Sequence, residues 1–302
     1  MNWLNTFELM CYLIVAMMLV DLIYNKDYDG LFLFGAAALV GYFMELAAVR
    51  VTGIYFYSTD FWFSIGTVPN QFPVFGGLMW GGVTVYGLKL AQKFGFNKLL
   101  TALTTGFLIV TMDLLLDVAA IRLDGGFWTW VGNPIHFSIN LSTFMSVIWV
   151  NFLGYMIEVP AVIFLTLKKQ ERVIKTDWKR QTLFLFFIAL GGILITAIGS
   201  LIALGLNAVT RDAFACVAFL SLWLVMAVLV ICRAFRERLR ISMHMKRSVP
   251  VLLFWLAMYG YCMAALISLG LWSWHPWFLI LGGIFSLGTV YLCLAQPEAA
   301  SF

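Results

Sequence analysis

Long apolar runs separated by short polar breaks dominate the chain. They fall near residues 3–24, 31–49, 71–92, 99–121, 141–167, 182–206, 213–232, 249–271 and 276–295. Each is close to the roughly 20 residues that a helix needs to cross a bilayer's hydrocarbon core. A transmembrane β-barrel would show short segments of alternating polarity, whereas these runs are apolar on every face. The pattern predicts an all-α fold, a polytopic bundle of about nine transmembrane helices. The first run has no basic residue before it and no small-residue cleavage site before Asp21 and Lys26, so it reads as a retained span and not as a signal peptide.

Composition agrees with that pattern. Of 302 residues, 63% are hydrophobic, 17% aromatic and only 11% charged, far from the roughly 25% charged residues of soluble domains. Nine spans leave no room for a large soluble domain. Five cysteines, Cys11, Cys216, Cys232, Cys262 and Cys293, lie in apolar stretches without metal or redox spacing and read as small hydrophobic side chains.

The net charge of +4 is modest, and its distribution informs topology, so no nucleic-acid partner is implied. Alternate loops hold Lys26; Lys89, Lys93 and Lys98; Lys168, Lys169, Arg172, Lys175, Lys179 and Arg180; and Arg233, Arg236, Arg238, Arg240, Lys246 and Arg247. The opposite face keeps only Arg50, Arg122 and Arg211. Because Lys and Arg in short loops stay on the cytoplasmic side, the N-terminus is expected outside and the C-terminus in the cytoplasm, in the plasma membrane of a prokaryote. The basic loop 168–181 divides a five-span part, 1–167, from a four-span part, 182–302. No internal repeat relates the two.

Acidic residues separate the parts further. The spans beyond residue 182 contain none, which reads as scaffold. In the first part Asp21, Glu45, Asp113, Asp117 and Glu158 fall within or near the ends of apolar segments, where a mid-helix carboxylate costs about 2.5–3.5 kcal/mol on insertion scales. Asp21, near Lys26, reads as an interfacial residue. Glu158 lies next to Pro160, where it either satisfies backbone freed by the proline or serves function.

Asp113 and Asp117, four apart in TMDLLLDVAAIR, share one helix face. Two like charges there cannot both ionise cheaply, so at least one is expected to hold a proton near neutrality, as general acid catalysis requires. A bundle-assembling role through polar groups on neighbouring helices is the competing structural reading. Counted at about 1.5 Å per residue, Glu45 lies roughly 7 Å inward from Arg50, Asp117 roughly 7 Å and Asp113 roughly 13 Å inward from Arg122, and Asn151 roughly 15 Å from the expected outer end of its span. Four polar groups from three helices would then share one stratum.

Two long loops on the same side, VTGIYFYSTDFWFSIGTVPNQFP and IRLDGGFWTWVGNPIHFSIN, carry Tyr55, Tyr57, Trp62, Trp128, Trp130 and His136. Rings of this kind fill the aromatic belts of membrane interfaces. Gly53, Pro69, Gly125, Gly126, Gly132 and Pro134 also give these loops tight turns, and compact aromatic loops can roof an apolar pocket. Acids beneath aromatic faces suit a hydrocarbon that reacts through a cation.

The order of Glu45 in GYFMELAAVRVTGIYFY, Pro69 with QFP, MDLLLDVAAIRLDGGFWTW and WVNFLGYM at 149–156 resembles the CruF-type carotenoid 1,2-hydratases, also described as carotenoid biosynthesis membrane proteins. The resemblance covers about residues 38–167. It implies cofactor-independent hydration of the terminal C1=C2 double bond of an acyclic carotenoid end group, giving a tertiary alcohol. The matching positions are Glu45, Tyr55, Tyr57, Asp113, Asp117, Trp128, Trp130, Asn151 and Gly154. Val118 stands where the family has proline and Tyr155 where it has tryptophan, and the spans flanking the matched region are arranged differently, as in a distant member.

Chemistry points the same way. Adding water to an unactivated alkene needs a strong acid, a site tolerating a tertiary cation, and a directed water. Asp113 or Asp117 is the expected acid, with its partner or Glu45 orienting water. Trp128, Trp130 and Tyr57 would shield the cation, and Asn151 would position water or a carboxylic acid. The expected partners are an isoprenoid or carotenoid substrate and membrane lipid, with pathway enzymes or a second copy as further possibilities.

Other readings use the same residues. A protonation-initiated isoprenoid cyclase or isomerase differs only in what captures the cation, and in a transporter or lipid-binding protein the acids would form a proton relay. A purely structural subunit is the least specific reading. His136, His244 and His275 are too scattered for a helical metal cluster. No phosphate-binding glycine loop or nucleophile elbow occurs, and the last span has no lysine for a retinal Schiff base. Gly191, Gly192 and Gly199 read as helix-packing positions, and the basic loops 168–180 and 233–247 as cytoplasmic topology signals facing anionic lipid.

Overall fold

The computed structural model describes residues 2–170, 178–237, 239–241 and 248–296. Ten helices occur in this order: α1 (Trp3–Tyr24), α2 (Tyr28–Ala47), α3 (Val74–Ala91), α4 (Lys98–Ala120), α5 (Trp149–Gln170), α6 (Trp178–Val209), α7 (Ala213–Arg236), α8 (Val249–Ser268), the short α9 (Leu271–Trp274) and α10 (Pro276–Leu294). Among the described residues nine of them, all but α9, are long and apolar enough to cross a membrane. The protein is an all-α integral membrane bundle. Arg172, Lys175, Arg238, His244, Lys246 and Arg247, part of the basic-loop reading, lie outside the described residues.

Side-chain caps start three of the first four spans. Asn2 accepts from Asn5 N at 2.8 Å, Asp27 from Gly30 N at 2.9 Å and Asn97 from Leu100 N at 3.0 Å, each satisfying a donor that the first helical turn leaves open. Burial then separates the helices: 83% of the α4 span and 72% of the α3 span are buried, against 22% for α6 and 28% for α7. The central α4 packs on α3, α5, α7, α8 and α10, while α6 lies along α5 and α2. Acids on α4 are therefore enclosed by protein, the only economical place for them in a bilayer.

The loops identify the two ends of the bundle. At one end Leu4 N donates to Asp124 Oδ2 at 2.8 Å and Ser142 Oγ to Asp212 Oδ2 at 2.9 Å, and the Phe137 and His275 rings lie 5.1 Å apart. At the other, Lys93 Nζ donates to the carbonyls of Leu292, Cys293 and Ala295, capping α10, and Arg233 Nε donates to Phe94 O. The start of α1 and the end of α10 thus lie at opposite ends, as an odd number of spans requires. Asp21 sits at the basic end, accepting from Tyr86 at 3.0 Å with Lys89 at 3.8 Å, an interfacial arrangement. Four cysteines are buried and Cys232 is exposed.

One boundary differs from the sequence expectation. The fifth span does not begin at 141 but at Trp149, because Thr143–Phe144 and Val147–Ile148 form a tight hairpin through Met145 (φ 48°) and Ser146 (φ 71°). Asn140 Oδ1 accepts from Ser142 N and Thr143 N and nucleates it. The hairpin is as apolar as the helix that follows, so periodicity alone could not divide them. Asn151 consequently lies in the first turn of α5 and not about ten residues into it.

Candidate active site

The two aromatic loops pair with each other. Tyr55–Tyr57 (β1) and Trp128–Trp130 (β2) form an antiparallel ribbon with Tyr55 opposite Trp130 and Tyr57 opposite Trp128. The paired rings stand 4.9 and 5.9 Å apart between centroids, a spacing at which cross-strand aromatic pairs stabilise a ribbon. A π-helical turn, Ala48–Thr52, ends α2, and Gly53 at φ 58° turns the chain back over it. That left-handed exit suits glycine and carries Tyr55 and Tyr57 above Glu45, ten and twelve residues behind them.

Glu45 is held by three donors: Tyr55 Oη and Tyr57 Oη (2.9 Å) to Oε2, and Trp80 Nε1 to Oε1 at 3.2 Å. Burial, together with the Glu45 charge, pushes both phenols well above their usual range, so they stay protonated and donate. Trp80 reaches Glu45 because Gly41 leaves room: a Cβ at 41 would lie 2.5 Å from the Trp80 ring. The same indole stacks on Tyr155 at 4.8 Å.

Tyr155 Oη donates to Asp113 Oδ1 at 3.0 Å, and Asn151 Nδ2 donates to Asp117 Oδ2. Both carboxyls are 2% exposed. Four residues apart on one face of α4, the two buried carboxyls line the same space, where two like charges would repel each other. Asp113 Oδ2 is buried and receives no hydrogen bond. Two rigid helices therefore present an acid pair whose remaining oxygens are already oriented.

These groups line one chamber of about 100 Å³. All eight residues expected from sequence meet there: Asp113, Asp117, Glu45, Tyr55, Tyr57, Trp128, Trp130 and Asn151. Phe72, Phe75, Met79, Ile109, Met112 and Leu116 add apolar wall, and Met258 comes from α8 in the part read as scaffold. The shared depth of the acids survives the shift of α5. All four polar groups lie toward the end of the bundle opposite Lys93 and Arg233, and the β1–β2 ribbon supplies the cover that helix length does not.

Sequence reading missed Trp80, the third donor to Glu45, since an indole within an apolar span carries no local mark of polar duty. Tyr155 was noted only as a departure from a motif, although its spacing of four from Asn151 mirrors the aspartate pair. Glu8 on α1 was passed over too; fully buried, it accepts from Trp62 N at 2.8 Å, Phe63 N at 3.1 Å and Tyr12 Oη at 3.3 Å, fastening the first aromatic loop to the bundle. Arg122 does this for the second, donating to the carbonyls of Val118, His136 and Met145. Burial pushes its guanidinium down to about 10, and it stays charged at neutral pH. His136 packs within this loop, near Ser138 and Thr143 and away from the acids. Glu158 does not repair backbone through Oε1, which has no hydrogen-bond partner.

Among the described residues no three His, Cys, Asp or Glu side chains cluster as metal ligands. The fold and site define an integral membrane helical bundle with a roofed, aromatic-walled chamber around an acid pair. No protein-family model, no curated protein and no solved structure matches the chain.

Proposed function

We propose that the protein is a carotenoid hydratase, adding water across the terminal C1=C2 double bond of an acyclic carotenoid end group. The observation that carries this reading is the buried pair Asp113 and Asp117, each held by a donor from α5, in a chamber walled largely by hydrocarbon and aromatic rings. Asp113 Oδ2, the oxygen without a hydrogen-bond partner, carries a proton and delivers it to C2. The tertiary cation at C1 lies against Trp128, Trp130 and Tyr57, whose faces are attractive to positive charge. A water oriented by Glu45 adds to C1, and its proton returns to the carboxylate pair. Alkene and water become alcohol with no change in electron count, so the step calls for no redox cofactor.

The lid and the acids lie at the end of the bundle away from the basic loops, the outer end under the positive-inside rule. In this reading the enzyme resides in the plasma membrane of a prokaryote and takes its substrate from the lipid phase. Expression in cells that accumulate lycopene tests it. Wild type should yield a pigment heavier by one water, and Asp113→Asn or Asp117→Asn at equal membrane abundance should lower the yield at least about a hundredfold, the scale of a lost general acid. An isomer of unchanged mass would replace hydration by cyclisation. Unaltered pigment from folded protein would leave lipid binding or transport as the better reading.

A further inference from the structure

A second chamber of about 300 Å³ lies between α2, α5 and α6. It shares Glu45, Tyr55, Trp80, Trp130, Asn151 and Tyr155 with the first chamber, so one layer of side chains separates the two. Its far wall includes Val51 and Leu201, 83% and 69% exposed on the outside of the bundle. An apolar surface of that kind on spanning helices is covered by lipid tails, and this chamber meets the bilayer there.

Two polar atoms in this apolar chamber are unpaid for by any partner. Glu158 and Thr196, 8% and 2% exposed, both line it, and Glu158 Oε1 and Thr196 Oγ1 are buried without a hydrogen bond. In a bilayer such groups are costly unless something hydrogen-bonds them. One hydroxyl, donor and acceptor at once, matches a carboxyl and a threonine together. Gly154, midway along the α5 wall, has nothing within 4 Å of where a Cβ would stand, so the space is open up to the helix backbone.

We propose that this chamber binds a long-chain isoprenoid alcohol, its chain entering from or leaving to the lipid between α2 and α6 and its hydroxyl held by Glu158 and Thr196. That the alcohol is the enzyme's own product, passing outward through the shared wall, rests on the hydratase reading. Binding of the alcohol class does not. The hydroxyl that hydration creates is the feature that separates product from substrate; Glu158 and Thr196 line only the second chamber, and Asp113 and Asp117 only the first.

Binding is tested on purified full-length protein in detergent, equilibrated with equal amounts of isophytol, a tertiary isoprenoid alcohol, and phytane, the hydrocarbon of the same skeleton. After gel filtration both are counted by gas chromatography. Wild type should retain isophytol over phytane by roughly tenfold, the ratio of about one net hydrogen bond. Thr196→Val should reduce that preference to near parity, and Gly154→Leu should lower retention of both by filling the chamber without meeting a neighbour. Asp113→Asn should keep the preference, which separates this site from the fate of the hydratase reading. Equal retention of both ligands by wild type, or an undiminished preference in Thr196→Val, would overturn the proposal and leave Glu158 and Thr196 as partners of buried water.

Discussion

Asn151 donates to Asp117 across the α4–α5 interface, and Tyr155, one turn further along α5, donates to Asp113, one turn back along α4. Two pairs spaced by four residues thus face each other in antiparallel register, and each donor meets one acid. The register lets a carboxyl pair persist in an apolar bundle, since each aspartate has an oxygen satisfied from outside the pair. It also predicts that the donors are not interchangeable. Tyr155→Phe should strand Asp113 Oδ1 and lower stability by about 1–3 kcal/mol, measured by thermal unfolding in detergent. Asp113→Asn should then cost less in the Tyr155→Phe background than in wild type, and strict additivity of the two would refute the pairing.

Glu45 holds the lid from below. Glu45→Gln presents an amide N–H₂ to at least one of three donors, so the ribbon should loosen. Amide exchange in β1 and β2 should quicken by roughly tenfold, the equivalent of about 1.4 kcal/mol, while exchange in the helical cores of α3 and α4 stays unchanged. Trp80→Phe, which deletes one donor and keeps Glu45, should produce a smaller change.

Gly41 should tolerate no side chain while Trp80 is present. A Cβ 2.5 Å from the indole forces the ring away from Glu45, and overpacking of this kind costs about 1–3 kcal/mol. Gly41→Ala should therefore lower both thermal stability and product yield. Gly41→Ala with Trp80→Leu should recover the stability but not the yield.

Glu8 should prove structural. Glu8→Ala strands Trp62 N and Phe63 N, so limited proteolysis within residues 58–66 should accelerate in the variant. Cleavage elsewhere should be unchanged, and an unaltered pattern at 58–66 would show that the anchor is dispensable.

The outer placement of the lid can be checked by labelling. With exposed Cys232 replaced by serine, a cysteine at Ser142 should react with a membrane-impermeant maleimide in intact cells. A cysteine at Gln92, at the basic end, should react only after lysis. The reverse pattern would invert the orientation.

Nine spans were legible from residue order alone, because length and unbroken apolarity are sufficient for a helix in a medium without water. Residue order also determined that Asp113 and Asp117 share a face, since spacing along one helix is a local property. The ribbon between Tyr55–Tyr57 and Trp128–Trp130 was visible only as two aromatic loops, because strand pairing across 70 intervening positions leaves no local signature. The remaining features depend on how the helices pack. Tertiary structure moved the start of α5 from 141 to 149, where a hairpin and a helix have equal apolarity, and it placed Tyr155 and Trp80 among the acids. Those contacts depend on helix register and on the space left by Gly41, properties of how two faces meet and not of either face alone.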